Sequence, residues 1–284
     1  MKNTSILLLS CPDTKGVVAG VADFIYRHNG NILHADEHAD EGSNLFLMRV
    51  EFDPADFDIA PEEFGKAFAP VAERFQIRWR LAQSSYRPRM VIMVSRYDHC
   101  LVDLLYRHRS GELACDIPLI ISNHPDNRAI AEFDGIRYEM IEVTHSSKHE
   151  AEARIQSIVA QSAADFLVLA RYMQILSDDF VQKYPQRIIN IHHSFLPAFV
   201  GAKPYHQAFQ RGVKLIGATS HYVTEVLDDG PIIEQDVVRI SHRDTLEDLL
   251  QKGRDLEKVV LSRAVRWHIQ NRILLYGNKT VVFD

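Results

Sequence analysis

Cysteine is scarce in this chain: Cys11, Cys100 and Cys115 are the only three in 284 residues. Three thiols cannot complete a disulfide framework, and their spacing matches no zinc pattern, so reduced thiols in a cytoplasmic protein are expected. Long apolar runs are also missing. No stretch approaches the roughly 20 residues that a membrane helix needs, and Ile6-Leu7-Leu8-Leu9 meets Cys11-Pro12-Asp13 too early for a signal-peptide core. Neither a membrane nor an export route is expected. Nor is there a basic excess. A formal charge of -6 argues against nucleic acid as a partner, because phosphate backbones select basic surfaces. It leaves room for one anionic ligand held by a few local cations. There is no internal repeat and no low-complexity segment.

What is present is ordinary globular material, 46% hydrophobic and 25% charged, in a length comfortable for two domains. Residues 4–10 read as a buried strand, stopped by the turn residues of 11–16. From Val17 to His28 the apolar positions Val17, Val18, Val21, Phe24 and Ile25 recur at helical spacing, and Asn29-Gly30 ends the helix. Strands at 32–38 and 44–52, a helix at 62–75 and a strand at 76–82 complete a βαββαβ order. That is the ferredoxin-like motif, two helices on one face of an antiparallel sheet. Residues 84–88 (Ser84-Ser85-Tyr86-Arg87-Pro88) form a polar linker after a domain of residues 1–83.

Beyond the linker, over 89–284, the rhythm changes. Strand candidates at 90–95, 118–122, 138–143, 166–170 and 188–192 alternate with helices near 100–108, 128–133, 148–161 and 178–184. A long helix is expected over 245–269, and a late strand at 279–283. This alternation predicts an α/β, Rossmann-like domain with a mostly parallel sheet, whose sites form at the carboxyl ends of strands.

In the first domain, residues 9–18 join strand to helix, and 29–32 lead into the next strand. This pattern resembles the ACT domain, a small-ligand regulatory module. The helix N-terminus at Asp13 and Gly16 offers N–H donors that would suit the carboxylate of an amino-acid effector. The other reading is that these residues only make the turn, with the sheet serving homo-oligomer contacts, since exposed edges of such sheets pair.

The densest polar cluster runs from Ile188 to Pro231. In the strand Ile188-Ile189-Asn190-Ile191-His192, Asn190 and His192 project from one face. Gly217-Ala218-Thr219-Ser220-His221 gives another strand, and Leu227-Asp228-Asp229-Gly230-Pro231 sets a carboxylate on a tight loop. An Asn-x-His pair alone could be a satisfied core pair. A metal reading also competes, since His192, His193, His206, His221 and Asp228 are ligand types. Adjacent His192 and His193 on a strand would face opposite sides, however, and no His-x-x-x-His or cysteine pair joins them, so no metal is expected.

Together the three pieces Asn190-Ile191-His192-x-Ser194-x-Leu196-Pro197, Gly217-x-Thr219-x-His221 and Leu227-Asp228-x-Gly230-Pro231 resemble the folate-dependent formyltransferase family. The resemblance implies a catalytic trio of Asn190, His192 and Asp228. An imidazolium and an amide N–H would hold the oxyanion formed at a formyl carbonyl, and the carboxylate would orient the attacking group and relay its proton. It also implies a pterin pocket along Arg171, Tyr172, Met173, Ile175 and Leu176, with His193, Gly201 and His221 beside the substrate and no cofactor beyond the folate itself.

Members that transfer formyl to glycinamide ribonucleotide carry a glycine-rich turn after the first strand, where backbone N–H groups approach a phosphate. Here residues 94–105 hold no glycine and put Asp98 near the helix start. With the ACT-like domain in front, the whole chain is similar to the formyltetrahydrofolate deformylases. The resemblance implies hydrolysis of 10-formyltetrahydrofolate to formate and tetrahydrofolate, supplying one-carbon and purine metabolism. Glycinamide ribonucleotide transfer and a catalytically dead sensor are the alternatives.

Overall fold

The computed structural model describes residues 3–144, 146–198 and 204–284. Among them no helix is long and apolar enough to cross a membrane. The chain divides into two compact units, residues 1–86 with 270–276 and 281–284, and residues 87–269 with 277–280.

The first unit begins β1 (Ser5–Pro12), α1 (Val17–Arg27), β2 (Asn31–Asp40), β3 (Leu45–Asp53), α2 (Phe64–Phe75) and β4 (Arg78–Gln83). The sheet order is β2-β3-β1-β4, and β1 runs antiparallel to both β3 and β4. Strand alternation explains the unbroken leucine run of β1. Leu7, Leu9 and Cys11 pack with Val21, Phe24 and Phe68, whereas Ile6 and Leu8 pack on Phe283, Leu274 and Val281. Residues 270–276 and 281–284 therefore belong with the first unit, whereas the sequence reading placed the whole tail in the second domain. Of the apolar positions that recur at helical spacing in α1, Val18 is exposed. Asp13 and Gly16 lie on the exposed turn into α1, with Gly16 at the N-cap in a left-handed conformation (φ 95°).

The second unit holds β5 (Arg89–Val94), α3 (His99–Arg109), β6 (Asp116–Ser122), α4 (Arg128–Phe133), β7 (Tyr138–Met140), α5 (Lys148–Gln161) and β8 (Phe166–Leu169). It continues through α6 (Asp178–Lys183), β9 (Ile188–His192), α7 (Pro204–Arg211), β10 (Leu215–Tyr222), β11 (Ile232–Arg239) and α8 (Leu246–Ile269). A final pair, β12 (Ile273–Tyr276) and β13 (Lys279–Val282), forms a two-stranded sheet, with β12 and the end of β13 in the first unit.

The seven-stranded sheet has the order β11-β10-β9-β8-β5-β6-β7. β5 to β9 are mutually parallel, and β10 and β11 are antiparallel additions. The direction of winding reverses between β5 and β8. At such a switch point the loops leaving adjacent strands part and open a crevice. Pro204 opens α7 at its first position, where a missing N–H is harmless.

Candidate active site

Three carboxyl-end turns, after β5, β8 and β9, face the crevice. The Ser95 hydroxyl ties the first two together: it donates to Asn123 Oδ1 (2.7 Å) and accepts from the Met173 N–H (2.9 Å). The Ser95 N–H also bonds to the Arg171 carbonyl at 3.2 Å. Residues 171–173 are thereby fixed beside the end of β5. They line a cavity of about 630 Å³, along with Ile175, Leu176 and the catalytic candidates. Tyr172 and Leu176 are buried, whereas Met173 and Ile175 stand exposed along its wall. Gly201 lies outside the described residues.

β9 brings Asn190 and His192 to the cavity, and its antiparallel partner supplies the matching residues. Asn190 stands opposite His221, and His192 opposite Thr219, so all four share one face. Buried His221 donates from Nδ1 to its neighbour's carbonyl, Tyr222 O, at 2.9 Å. Burial holds its pKa below the ordinary histidine value, against the pull of that carbonyl. A neutral ring with Nδ1–H leaves Nε2 as an acceptor, and the Asn190 amide nitrogen lies 3.1 Å from it. His221 thus sets which way the Asn190 amide faces. Thr219 fixes the loop beyond His192 by donating to Ser194 O (2.8 Å) and accepting from Leu196 N–H (3.0 Å).

Asp228 arrives on the loop between β10 and β11. Its own backbone is left-handed (φ 58°), and the loop closes on β10 through Tyr222 N–H to Pro231 O at 2.9 Å. Gly230 permits this closure: a β-carbon there would lie 1.7 Å from Tyr222 O. The closure sets Asp228 Oδ1 3.2 Å from His192 Nδ1 and 3.8 Å from His221 Nε2. Partial burial pushes the Asp228 pKa up, but the His192 contact and the three nearby imidazoles outweigh it and hold the carboxyl low. The far nitrogen of His192, Nε2, is sealed from solvent and has no hydrogen-bond partner. A buried ring nitrogen left unmatched at a cavity wall is a group awaiting a ligand atom.

His193 departs from the strand-alternation expectation. β9 ends at His192, so alternation no longer applies, and both rings line the cavity with centroids 5.1 Å apart. Burial, reinforced by the Arg171 charge, lowers the His193 pKa to about 3.

A second polar cluster went unread in the sequence. Glu257 on α8, 1% exposed, accepts from His99 Nε2 (2.7 Å) and the Tyr205 hydroxyl (2.8 Å), and Arg171 Nε lies 3.3 Å away. Gly253, one turn before Glu257, makes room, since a β-carbon there would strike the Tyr205 ring at 2.2 Å. Opposing contributions leave the Glu257 carboxyl below its ordinary value: burial raises it, and His99, Arg171 and Tyr205 more than compensate. His99, Cys100 and Glu257 place ligand-type atoms within 4.8 Å of one another. The Cys100 thiol is pushed well up by burial, however, and Glu257 is occupied by protein donors. That donor set suits a hydrogen-bond hub better than a cation.

The fold and site define a class: an ACT-type module joined to a parallel-sheet domain with an Asn, His and Asp constellation at its carboxyl edge. The comparisons agree. A formyl transferase family model matches residues 88–265 and an ACT domain model matches residues 5–66. A formyltetrahydrofolate deformylase of Synechocystis sp. is 55% identical over 280 residues, covering 99% of this chain and 98% of that protein. A crystal structure of a formyltetrahydrofolate deformylase from Pseudomonas syringae pv. tomato superposes with a TM-score of 0.97 at 51% identity, covering 100% of this chain and 95% of that one. Glycinamide ribonucleotide transformylase 1 from Symbiobacterium toebii is more distant: TM-score 0.67, 28% identity, 70% of this chain and 95% of that one. The chain belongs to the formyltetrahydrofolate deformylase family.

Proposed function

We propose that the chain hydrolyses 10-formyltetrahydrofolate to formate and tetrahydrofolate, with Asn190, His192 and Asp228 as the catalytic groups and no metal. The carrying observation is the convergence of the three side chains on one cavity, with His192 Nε2 buried and unpartnered while its Nδ1 meets Asp228. Water adds to the formyl carbon. His192 Nε2–H and the remaining Asn190 amide N–H hold the carbonyl oxygen as it becomes an oxyanion, each such donor being worth about 10²–10³ in rate. Asp228, kept ionised, accepts a hydrogen bond from the water and takes part in moving its proton toward the departing folate nitrogen. The carbon–nitrogen bond then breaks, that nitrogen gains a proton, and formate leaves as the anion.

Two observations favour water over a phosphorylated amine acceptor. The turn after β5 has no glycine, and it sets Asp98 at the N-cap of α3, where a carboxylate would repel a phosphate. The folate is placed along residues 171–176. The exposed outer strand β2 is the surface through which we place self-association of the first unit. The test is formate release from 10-formyltetrahydrofolate with and without glycinamide ribonucleotide, in buffer containing a chelator. Release independent of the amine supports the reading; strict dependence on it, or on added zinc, overturns it.

A further inference from the structure

The contacts of the second unit trace a continuous polar path from the catalytic trio to the surface. His192, paired with Asp228, stands against His193, whose ring is 6.1 Å from that of Tyr205. Tyr205 bonds to Glu257, beside which lies Arg171. The Arg171 guanidinium then sits 5.6 Å from the Tyr97 ring centroid, and Arg254 lies over the same ring at 5.8 Å. Tyr97 is half exposed and Arg254 is exposed. All of these residues line the one cavity.

Arg171 is the anomaly on this path. Its backbone is left-handed (φ 63°), a conformation that disfavours any side-chain-bearing residue by about 1–2 kcal/mol. Its side chain is 9% exposed, and buried Nε has no hydrogen-bond partner. Its Nε lies 3.3 Å from Glu257, whose carboxylate already accepts from His99 and Tyr205. Strain and an unmatched buried Nε–H on one side chain at a cavity wall mark a group held ready for a ligand. A guanidinium fork matches a planar group bearing two oxygens. Along this arm, Arg171 and Arg254 together exceed the single negative charge of Glu257.

We propose that Arg171 is the centre of a formate-binding site, which takes the product carboxylate from the catalytic trio and passes it toward the Tyr97–Arg254 rim. The proposal rests on the hydrolytic reading, of which formate is a product. Formate is formed beside ionised Asp228, which repels it, and the folate occupies the wall along residues 171–176, which Arg171 lines with its backbone while its side chain turns toward Glu257 and Tyr97. The cationic arm is the remaining attractive direction.

The test is titration of ¹³C-formate into the folded protein saturated with tetrahydrofolate, followed by line broadening of the formate signal. No turnover is needed, so a failure of the hydrolytic reading would appear in the formate-release assay and not here. Wild type is expected to broaden the signal saturably. Arg171→Gln paired with Glu257→Gln removes both charges together, so that neither is left buried without the other, and is expected to weaken formate at least tenfold, about the loss of one charge-assisted hydrogen bond. Arg254→Gln, on the exposed rim, keeps the test open should the double variant fold poorly, and is expected to weaken formate by about twofold or more. No saturable broadening by wild type, or the same affinity in a folded double variant or in Arg254→Gln, overturns the proposal.

Discussion

Replacing Gly230 by alanine should disable catalysis without touching any of the three catalytic side chains. The added β-carbon would lie 1.7 Å from Tyr222 O and 2.9 Å from Tyr222 C. Both are backbone atoms in a sheet strand and cannot swing aside, so the loop must retreat by more than about 1 Å to restore an ordinary contact. That loop carries Asp228, whose carboxylate contacts His192 at 3.2 Å; a retreat of that size takes it out of reach. Misplacement by about 1 Å is associated with a rate loss on the order of 10², and overpacking of this kind destabilises by about 1–3 kcal/mol. Formate release under saturating 10-formyltetrahydrofolate gives kcat, and urea denaturation gives the stability change. A Gly230→Ala enzyme with near-normal kcat would show that the loop is not what positions Asp228, and the geometric reasoning would fail.

Asp228→Asn keeps the shape and removes the charge; kcat should fall by about 10²–10³ with an unchanged circular dichroism spectrum, and a variant of near-normal kcat would count against the catalytic role. His193 gives a pH prediction. Its folded-state pKa is about 3, against an ordinary 6.5, so the unfolded chain takes up a proton below pH 6.5 that the folded one refuses. This contribution leaves stability unchanged above that value and removes ~1.4 kcal/mol per pH unit as pH falls toward 3. His193→Asn should flatten that part of the acid slope in chemical denaturation, and an unaltered slope would contradict it. Burial raises the Cys100 thiol well above its ordinary value and Cys115 to about 12; iodoacetamide should label neither in the folded protein and both in urea, and rapid native labelling would refute this.

The parts of the site that were legible in the sequence are those within single elements. Strand alternation put Asn190 and His192 on one face of β9, and the Leu227-Asp228-x-Gly230-Pro231 loop announced a carboxylate held in a turn. The buried run of β1 was legible as a strand, but what covers its second face was not. Phe283 and Leu274 lie more than 200 residues away in sequence, and their own spacing says nothing of a partner. The strand rule failed at His193 because the strand stops one residue earlier than alternation needs. The Glu257 cluster draws His99, Arg171, Tyr205 and Glu257 from separate elements, so no spacing could announce it. One signal was available: Glu257 falls on the apolar stripe of α8 with Gly253, Val260, Leu261 and Ala264, and a carboxylate on a buried helical face requires partners.

The chemistry itself is tested most directly by running the reaction in ¹⁸O-water, with no amine present, and analysing the formate by mass spectrometry. Hydrolysis at the trio predicts that the formate carries one oxygen from solvent, and that Asn190→Ala, His192→Ala and Asp228→Asn each suppress its formation. Unlabelled formate, no formate until an amine is added, or undiminished labelled formate from all three variants would contradict the account.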